Sequence, residues 1–136
     1  MRSAATRSAT FVTNPEYRLG MTTSLQCGLR ALPADCDGVL FTLVDHPAPS
    51  PATLDALLAL QPPLIRVPRY RSKRGHPIWF SRDLIAEFLA LPHDGPARDI
   101  VARHVDGTEY LDLDDPGIVA DIDSPEDYRE LLRAGI

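Results

Sequence analysis

GVLFTLVDHPAPSPATLDALL (residues 38–58) is the stretch on which the fold turns. GVLFTLV (38–44) is short and continuously apolar, the pattern of a strand buried on both faces, as in parallel sheets. The run stops at Asp45, and Pro47 then fixes the chain's exit and biases His46 toward an extended conformation. Ser50 followed by Pro51 is a helix cap with a first-turn proline, leading a helix that carries Leu54, Leu57 and Leu58. A strand, a short loop and a helix in this order form the elementary unit of an α/β domain.

Working outward, the same alternation repeats. Thr22 or Thr23 caps a predicted helix with Leu25, Leu29 and Leu32 on one face, stopped by Pro33. PLIRV (63–67) reads as a second strand, RYRSKRG (69–75) as a basic loop, and HPIWF (76–80) as a third strand near an edge because of Pro77. Ser81 caps a helix with Leu84, Ile85, Phe88 and Leu89 on one side. Gly95-Pro96 opens another, with Ile100, Val101 and His104 inward. EYLDLD (109–114) alternates like a half-exposed strand. Ser124-Pro125-Glu126-Asp127 starts the last helix with a cap, a proline and two acids on the positive end of its dipole. The fold class is therefore α/β, with a largely parallel sheet.

The totals agree with one domain. The chain has 136 residues, 44% apolar and 24% charged, a composition that builds a single packed core. A net charge of −5 argues against general nucleic-acid binding, which wants a basic surface. No apolar run approaches the roughly 20 residues that span a bilayer. The first ten residues, MRSAATRSAT, lack the apolar core of a secretory signal. Cys27 and Cys36 form no CxxC and have no histidine or cysteine partners at zinc spacing, so they read as free thiols of a reducing cytoplasm. The 13 prolines fall between the periodic segments.

Three places carry chemistry. Open α/β sheets bind ligands beyond the carboxyl ends of their strands, where Asp45 falls. A carboxylate there either caps the next turn or helps to hold a hard cation such as Mg2+ together with substrate phosphates. In VADIDSPEDY (119–128), Asp121 and Asp123 are two apart in extended chain and face one side, with Ile122 toward the core. They either start the helix or, together with Asp45, make a metal site of carboxylates. Arg69, Arg71, Lys73 and Arg74 place four cations within six residues, as a solvated basic loop or as a binder of an anionic substrate or leaving pyrophosphate. Gly75 beside them allows close backbone approach, and His76 is a donor for a phosphate or pterin group. His93 and His104 show no partners.

Taken together, NPEYRLGMTTSLQCGL (14–29), GVLFTLVDHP (38–47), IRVPRYRSKRGHPIWFSRDL (65–84), GPARDIVARH (95–104) and VADIDSPEDYREL (119–131) resemble the MobA/MocA-like nucleotidyltransferases, especially the molybdenum cofactor cytidylyltransferases. The resemblance implies a Rossmann-like sheet with helices on both faces. It implies Mg2+-dependent transfer from an NTP, CTP favoured, to a phosphorylated pterin-type acceptor, with release of pyrophosphate in the cytoplasm. By motif, Asp45 and Asp123 are the catalytic metal ligands, with Asp121 beside them, and His46 stands where these enzymes often have glutamine. Gly20, Thr23, Ser24 and Leu25 match the segment bordering the nucleotide pocket. Arg74, Gly75, His76 and Pro77 match the element facing the acceptor. Residues 1–13 then read as a variable segment and 14–136 as the C-terminal portion of the domain.

The family's glycine-rich loop, whose backbone N–H groups cradle a triphosphate, has no counterpart in this sequence. The expectation that follows is an N-terminally truncated domain with uncovered apolar sheet surface, marginal stability or association with itself or a partner chain, and little turnover alone. Two other readings stay open: a non-catalytic remnant that binds a pterin or a protein, and a metal-dependent phosphohydrolase using Asp45, His46, Asp121 and Asp123.

Overall fold

The computed structural model describes residues 9–59 and 62–134. Residues 1–8 of the expected N-terminal segment lie outside them. The first element of the described residues is a 3-10 turn (Tyr17–Leu19), then α1 (Met21–Arg30), β1 (Gly38–Phe41), α2 (Pro51–Leu57) and β2 (Ile65–Tyr70). A two-residue strand β3 (Lys73–Arg74), β4 (Ile78–Ser81), α3 (Ile85–Leu89), α4 (Arg98–Arg103), β5 (Thr108–Asp112) and α5 (Pro125–Arg133) follow.

The class is α/β, as expected, and the sheet is mixed. β2 pairs in parallel with β5 on one side, and on the other it pairs antiparallel with both β3 and β4. β1 lies antiparallel outside β4. β1, β2 and β5 therefore share one direction, and the β3–β4 arm runs against them. That arm is a hairpin partner of β2, closed by a turn in which Arg71 and Ser72 both have positive φ, 49° and 68°. Positive φ at both central residues is the geometry whose twist matches flanking strands. RYRSKRG is thus the end of β2, a tight turn and β3, where a basic loop was expected.

The hairpin register decides where the functional loop falls. Arg69 opposes Arg74 and Tyr70 opposes Lys73, whereas Ile65 opposes Phe80 and Arg66 opposes Trp79. The arm gains two residues between the halves, and Gly75-His76-Pro77 bulges out of the ladder. Pro77 precedes the strand within this bulge, and pairing with β1 on one side and β2 on the other places β4 inside the sheet, so it is no edge strand.

Strand alternation sorts the two faces. Ile65 and Val67 of β2 and Phe80 of β4 join Leu25, Leu29, Leu84, Phe88 and Ile100 in one core, beneath α1, α3 and α4. Arg66, from the opposite face of β2, reaches the carbonyl of Leu57 at the end of α2 (2.9 Å) and the Glu109 carboxylate (2.8 Å). Helices thus cover both faces. Gln26, buried on α1, donates to the carbonyls of Phe88 (3.0 Å) and Leu91 (2.9 Å), satisfying groups left open at the end of α3.

Three local expectations change. Gly20 is the N-cap of α1, and Thr22 and Thr23 are buried in its first turn instead of capping it. β1 ends at Phe41, so Thr42–Val44 is loop and Asp45 stands four residues beyond the strand. None of the β1 residues is fully buried, because only β4 pairs with it. Ser50, Ser81 and Ser124 do cap, each accepting from a backbone N–H of its following turn.

Candidate metal centre

Three loops meet beyond the ends of β1 and β4: residues 42–50, the 75–77 bulge, and 115–124. Backbone contacts knit them together. The His76 N–H donates to the Ile118 carbonyl (2.9 Å), and the Ile122 N–H donates to the Asp45 carbonyl (2.8 Å). A Cβ on Gly75 would lie 2.3 Å from the Ile118 oxygen, and one on Gly117 would lie 2.1 Å from the Ala48 oxygen. Both glycines permit backbone approaches that any side chain would block.

Asp115 makes a second set of ties. Its Oδ2 accepts from the Ser50 N–H (2.9 Å) and the Thr53 hydroxyl (2.6 Å), and its Oδ1 accepts from the Gly117 N–H (3.0 Å). Burial opposes ionisation of this carboxyl. The donors of Ser50, Thr53 and Gly117 outweigh it and hold the pKa below the ordinary carboxylate value.

This scaffold brings Asp45, Asp121 and Asp123 together. One carboxylate oxygen from each lies within 4.8 Å of the other two. Asp121 and Asp123 are exposed on the same side of an extended segment, and Ile122 between them is half-buried. The donor set is all carboxylate oxygen, the chemistry of a hard divalent cation such as Mg2+ or Mn2+. Without a cation the acids repel. The charge of Asp121, followed by a hydrogen bond with it, raises the Asp123 pKa. Asp127, at the head of α5, accepts from the N–H groups of Asp123 (3.0 Å) and Ser124 (3.1 Å), and its pKa is lowered, chiefly by the Asp123 N–H.

Two histidines stand beside the acids. The rings of His46 and His76 meet edge to face at 4.9 Å, and the Nδ1 of each is buried without a partner among the described residues. His46 Nε2 lies 3.8 Å from Asp45 Oδ1. Burial, then the neighbouring His46, lowers the His76 pKa against the opposing pull of Asp45. Burial thus favours the uncharged imidazole of His76. It opens on a cavity of about 500 Å3, lined mainly by apolar groups including Phe41, Leu43 and Ile78, with Arg74 and Arg98 as its cations.

The remaining predicted residues divide. Arg74 and Gly75 line this cavity with His76, and Leu25 of α1 lines it too. Pro77 is buried in the bulge. Gly20 caps α1, and the Thr23 hydroxyl donates to its carbonyl (2.6 Å). Ser24 is exposed and accepts from the Asn14 amide (2.9 Å). The basic residues are partly spoken for: the guanidinium groups of Arg69 and Arg74 both lie over the Tyr110 ring, and Arg69 also pairs with Asp112 (2.9 Å). His104, expected without a partner, lies 2.8 Å from the Glu87 carboxylate, and His93 lies 3.9 Å from Glu16. Asp115 escaped the sequence reading. Its signal is Asp-Pro-Gly (115–117), an acid ahead of a first-turn proline and a glycine.

A mixed α/β sheet with a cluster of acids on the loops beyond its strands defines the class, an α/β protein whose loops gather carboxylates at one end of the sheet. The MobA-like NTP transferase domain matches residues 1–108, and the chain belongs to that family. Asp121 and Asp123 lie past the matched residues. The chain is 32% identical over 113 residues to purine catabolism protein PucB of Bacillus subtilis (strain 168), covering 82% of this chain and 55% of that protein. Rv0371c of Mycobacterium tuberculosis H37Rv is similar in structure, with a TM-score of 0.70, 32% identity, and coverage of 82% of this chain and 59% of the other. A second structure of Rv0371c, in complex with manganese, gives a TM-score of 0.64 and 31% identity over 81% and 59%. The chain thus spans between half and two thirds of the length of these relatives. Among the described residues, no helix is long and apolar enough to cross a membrane.

Proposed function

We propose that this chain carries the metal and acceptor side of a cytoplasmic nucleotidyltransferase. The reaction joins the nucleotidyl group of an NTP, CTP favoured, to the phosphate of a pterin-type acceptor and releases pyrophosphate. The observation that carries the reading is the meeting of Asp45, Asp121 and Asp123, one oxygen from each within 4.8 Å of the others. These carboxylates would hold Mg2+ or Mn2+. When bound, the cation neutralises charge developing on the phosphates.

The protein's own groups orient and exclude. Attack by an acceptor phosphate on the α-phosphate needs aligned oxygens and no protein nucleophile. The apolar cavity has the size and lining that suit a flat heterocycle. His76 offers an imidazole for a hydrogen bond to the acceptor, and Arg74 offers a cation for its phosphate. Gly20, Thr23, Ser24 and Leu25, at the start of α1, border the nucleotide side. Self-association suits the face beside β1, where Met21, Leu29, Leu32 and Val39–Val44 line an open apolar groove of about 450 Å3.

The test is a Mn2+ titration followed by electron paramagnetic resonance, then by calorimetry with CTP and GTP. Wild-type chain is expected to bind one Mn2+, with CTP binding strengthened by the metal. Asp45→Asn is expected to weaken Mn2+ by more than ~100-fold, beyond what outer-shell changes usually give. Unchanged Mn2+ affinity in a folded Asp45→Asn protein defeats the reading.

A further inference from the structure

Asp45 and the Asp121–Asp123 pair come from loops that no strand pairing holds together. Asp45 lies within a turn in which the His46 N–H donates to the Leu43 carbonyl (3.1 Å), and Val44 beside it is fully exposed. Asp121 and Asp123 lie on extended chain before the Ser124 cap. Their separation depends on whatever fixes one loop against the other. Besides the backbone bond from Ile122 to Asp45, one side chain among the described residues hydrogen-bonds to both: Asp115.

Its two oxygens divide the task. Oδ2 takes the N–H of Ser50 and the hydroxyl of Thr53, gripping the far end of the 42–50 loop at its junction with α2. Oδ1 takes the N–H of Gly117, turning its own chain into the 3-10 turn Pro116–Val119. That turn approaches Ala48 through Gly117 and accepts from His76 through the Ile118 carbonyl. The chain leaving the turn donates from Ile122 to Asp45. Both loops are thus fixed at either end of the same short span, and Thr53, the hydroxyl donor, is itself buried on α2.

We propose that Asp115 is a positioning residue for the acidic centre: its carboxylate fixes the spacing of Asp45 from Asp121 and Asp123, and hence the centre's affinity for a divalent cation. The proposal rests on the metal reading above. It separates Asp115 from the many carboxylates that only cap a turn, because a cap adds stability without changing affinity at a distance. The amide of Asn keeps the shape and one acceptor oxygen, but it cannot accept on both sides as the carboxylate does.

Mn2+ affinity, read by electron paramagnetic resonance on the full chain, is the measurement. Asp115→Asn is expected to weaken Mn2+ by about 10- to 100-fold, the range typical of groups that orient ligands without touching the metal. Thr53→Val, which keeps the side-chain shape and removes one of the three donors, is expected to weaken it severalfold. Ser81→Ala removes a cap remote from the centre and is expected to lower Tm while leaving Mn2+ affinity unchanged. A folded Asp115→Asn protein with wild-type affinity overturns the proposal. So does a Ser81→Ala protein whose affinity falls as far as that of Asp115→Asn, since general loosening then explains both. Should Asp115→Asn fail to fold, Thr53→Val decides alone, and wild-type affinity in it overturns the proposal. If Asp45→Asn leaves Mn2+ binding intact, the metal reading itself fails, a result distinct from each of these.

Discussion

β4 has two neighbours in the sheet, and they differ sharply. On one side β2 is held by β3 and β4 along one edge and by β5 along the other, and its Ile65 is 0% exposed. On the other side β1 pairs only with β4, all four of its residues are half-buried, and Val44 just beyond is 100% exposed. Yet GVLFTLV is the more continuously apolar segment, and β2 carries Arg66, Pro68 and Arg69. Burial here follows the number of partners a strand has. Apolar content sets only how much burial is worth. β2 anchors the fold, and β1 holds the acidic loop at the rim of the sheet.

The largest expected effect tests the anchored side. Ile65→Ala empties a fully buried position where α1, α3 and α4 meet the sheet. It is expected to cost about 2–5 kcal/mol in urea denaturation, the range for large-to-small changes in a core. A loss below ~1 kcal/mol would mean that β2 is not the better-packed side, and the comparison would collapse.

A smaller and more informative effect concerns the acids at the rim. Folding raises the Asp123 pKa, mainly through the charge of Asp121. Between the ordinary value and the raised one, the folded chain holds a proton that the unfolded chain has lost. The pair therefore weakens the metal-free fold at neutral pH, and acidification through the raised value relieves this. Asp121→Asn removes the repulsion without acid. Its metal-free Tm at pH 7 is expected to rise slightly, while the further rise on adding Mn2+, present in wild type, is lost. Calorimetric scans with and without Mn2+ read both changes. A Tm that falls without metal would show that the pair is not under mutual repulsion.

The legible part of this molecule was whatever depends on local chemistry. Ser50, Ser81 and Ser124 cap where the Ser-Pro and Ser-x-Asp patterns place them, and the three aspartates stand out as acids that end apolar runs or precede a cap. The strand order was not legible. A two-residue gain within the β3–β4 arm leaves the apolar alternation of HPIWF intact, so nothing in the pattern announces that His76 will swing beside His46, thirty positions earlier. Asp115 was hidden for a related reason. Its partners Ser50 and Thr53 lie more than sixty residues away, and Asp-Pro-Gly read alone is only a turn. Arg69 and Arg74 read as a free basic loop because Tyr110, which both cover, comes from another strand.

The smallest expected change in stability falls on the β1 side, and it probes what that side meets. Val44 is fully exposed, so Val44→Lys should alter stability by less than ~0.5 kcal/mol, as surface changes usually do. A lysine beside an unpaired strand edge also opposes edge-to-edge pairing, through its charge and its need for water. If copies of the chain associate along the groove beside β1, Val44→Lys shifts sedimentation toward the smaller species at equal concentration while the urea midpoint of the dilute protein stays put. If the midpoint falls by the amount seen for Ile65→Ala, Val44 is covered in solution, and β1 is then as enclosed as β2. If neither quantity moves, the rim is a free edge whose function is to carry the loop to Asp45.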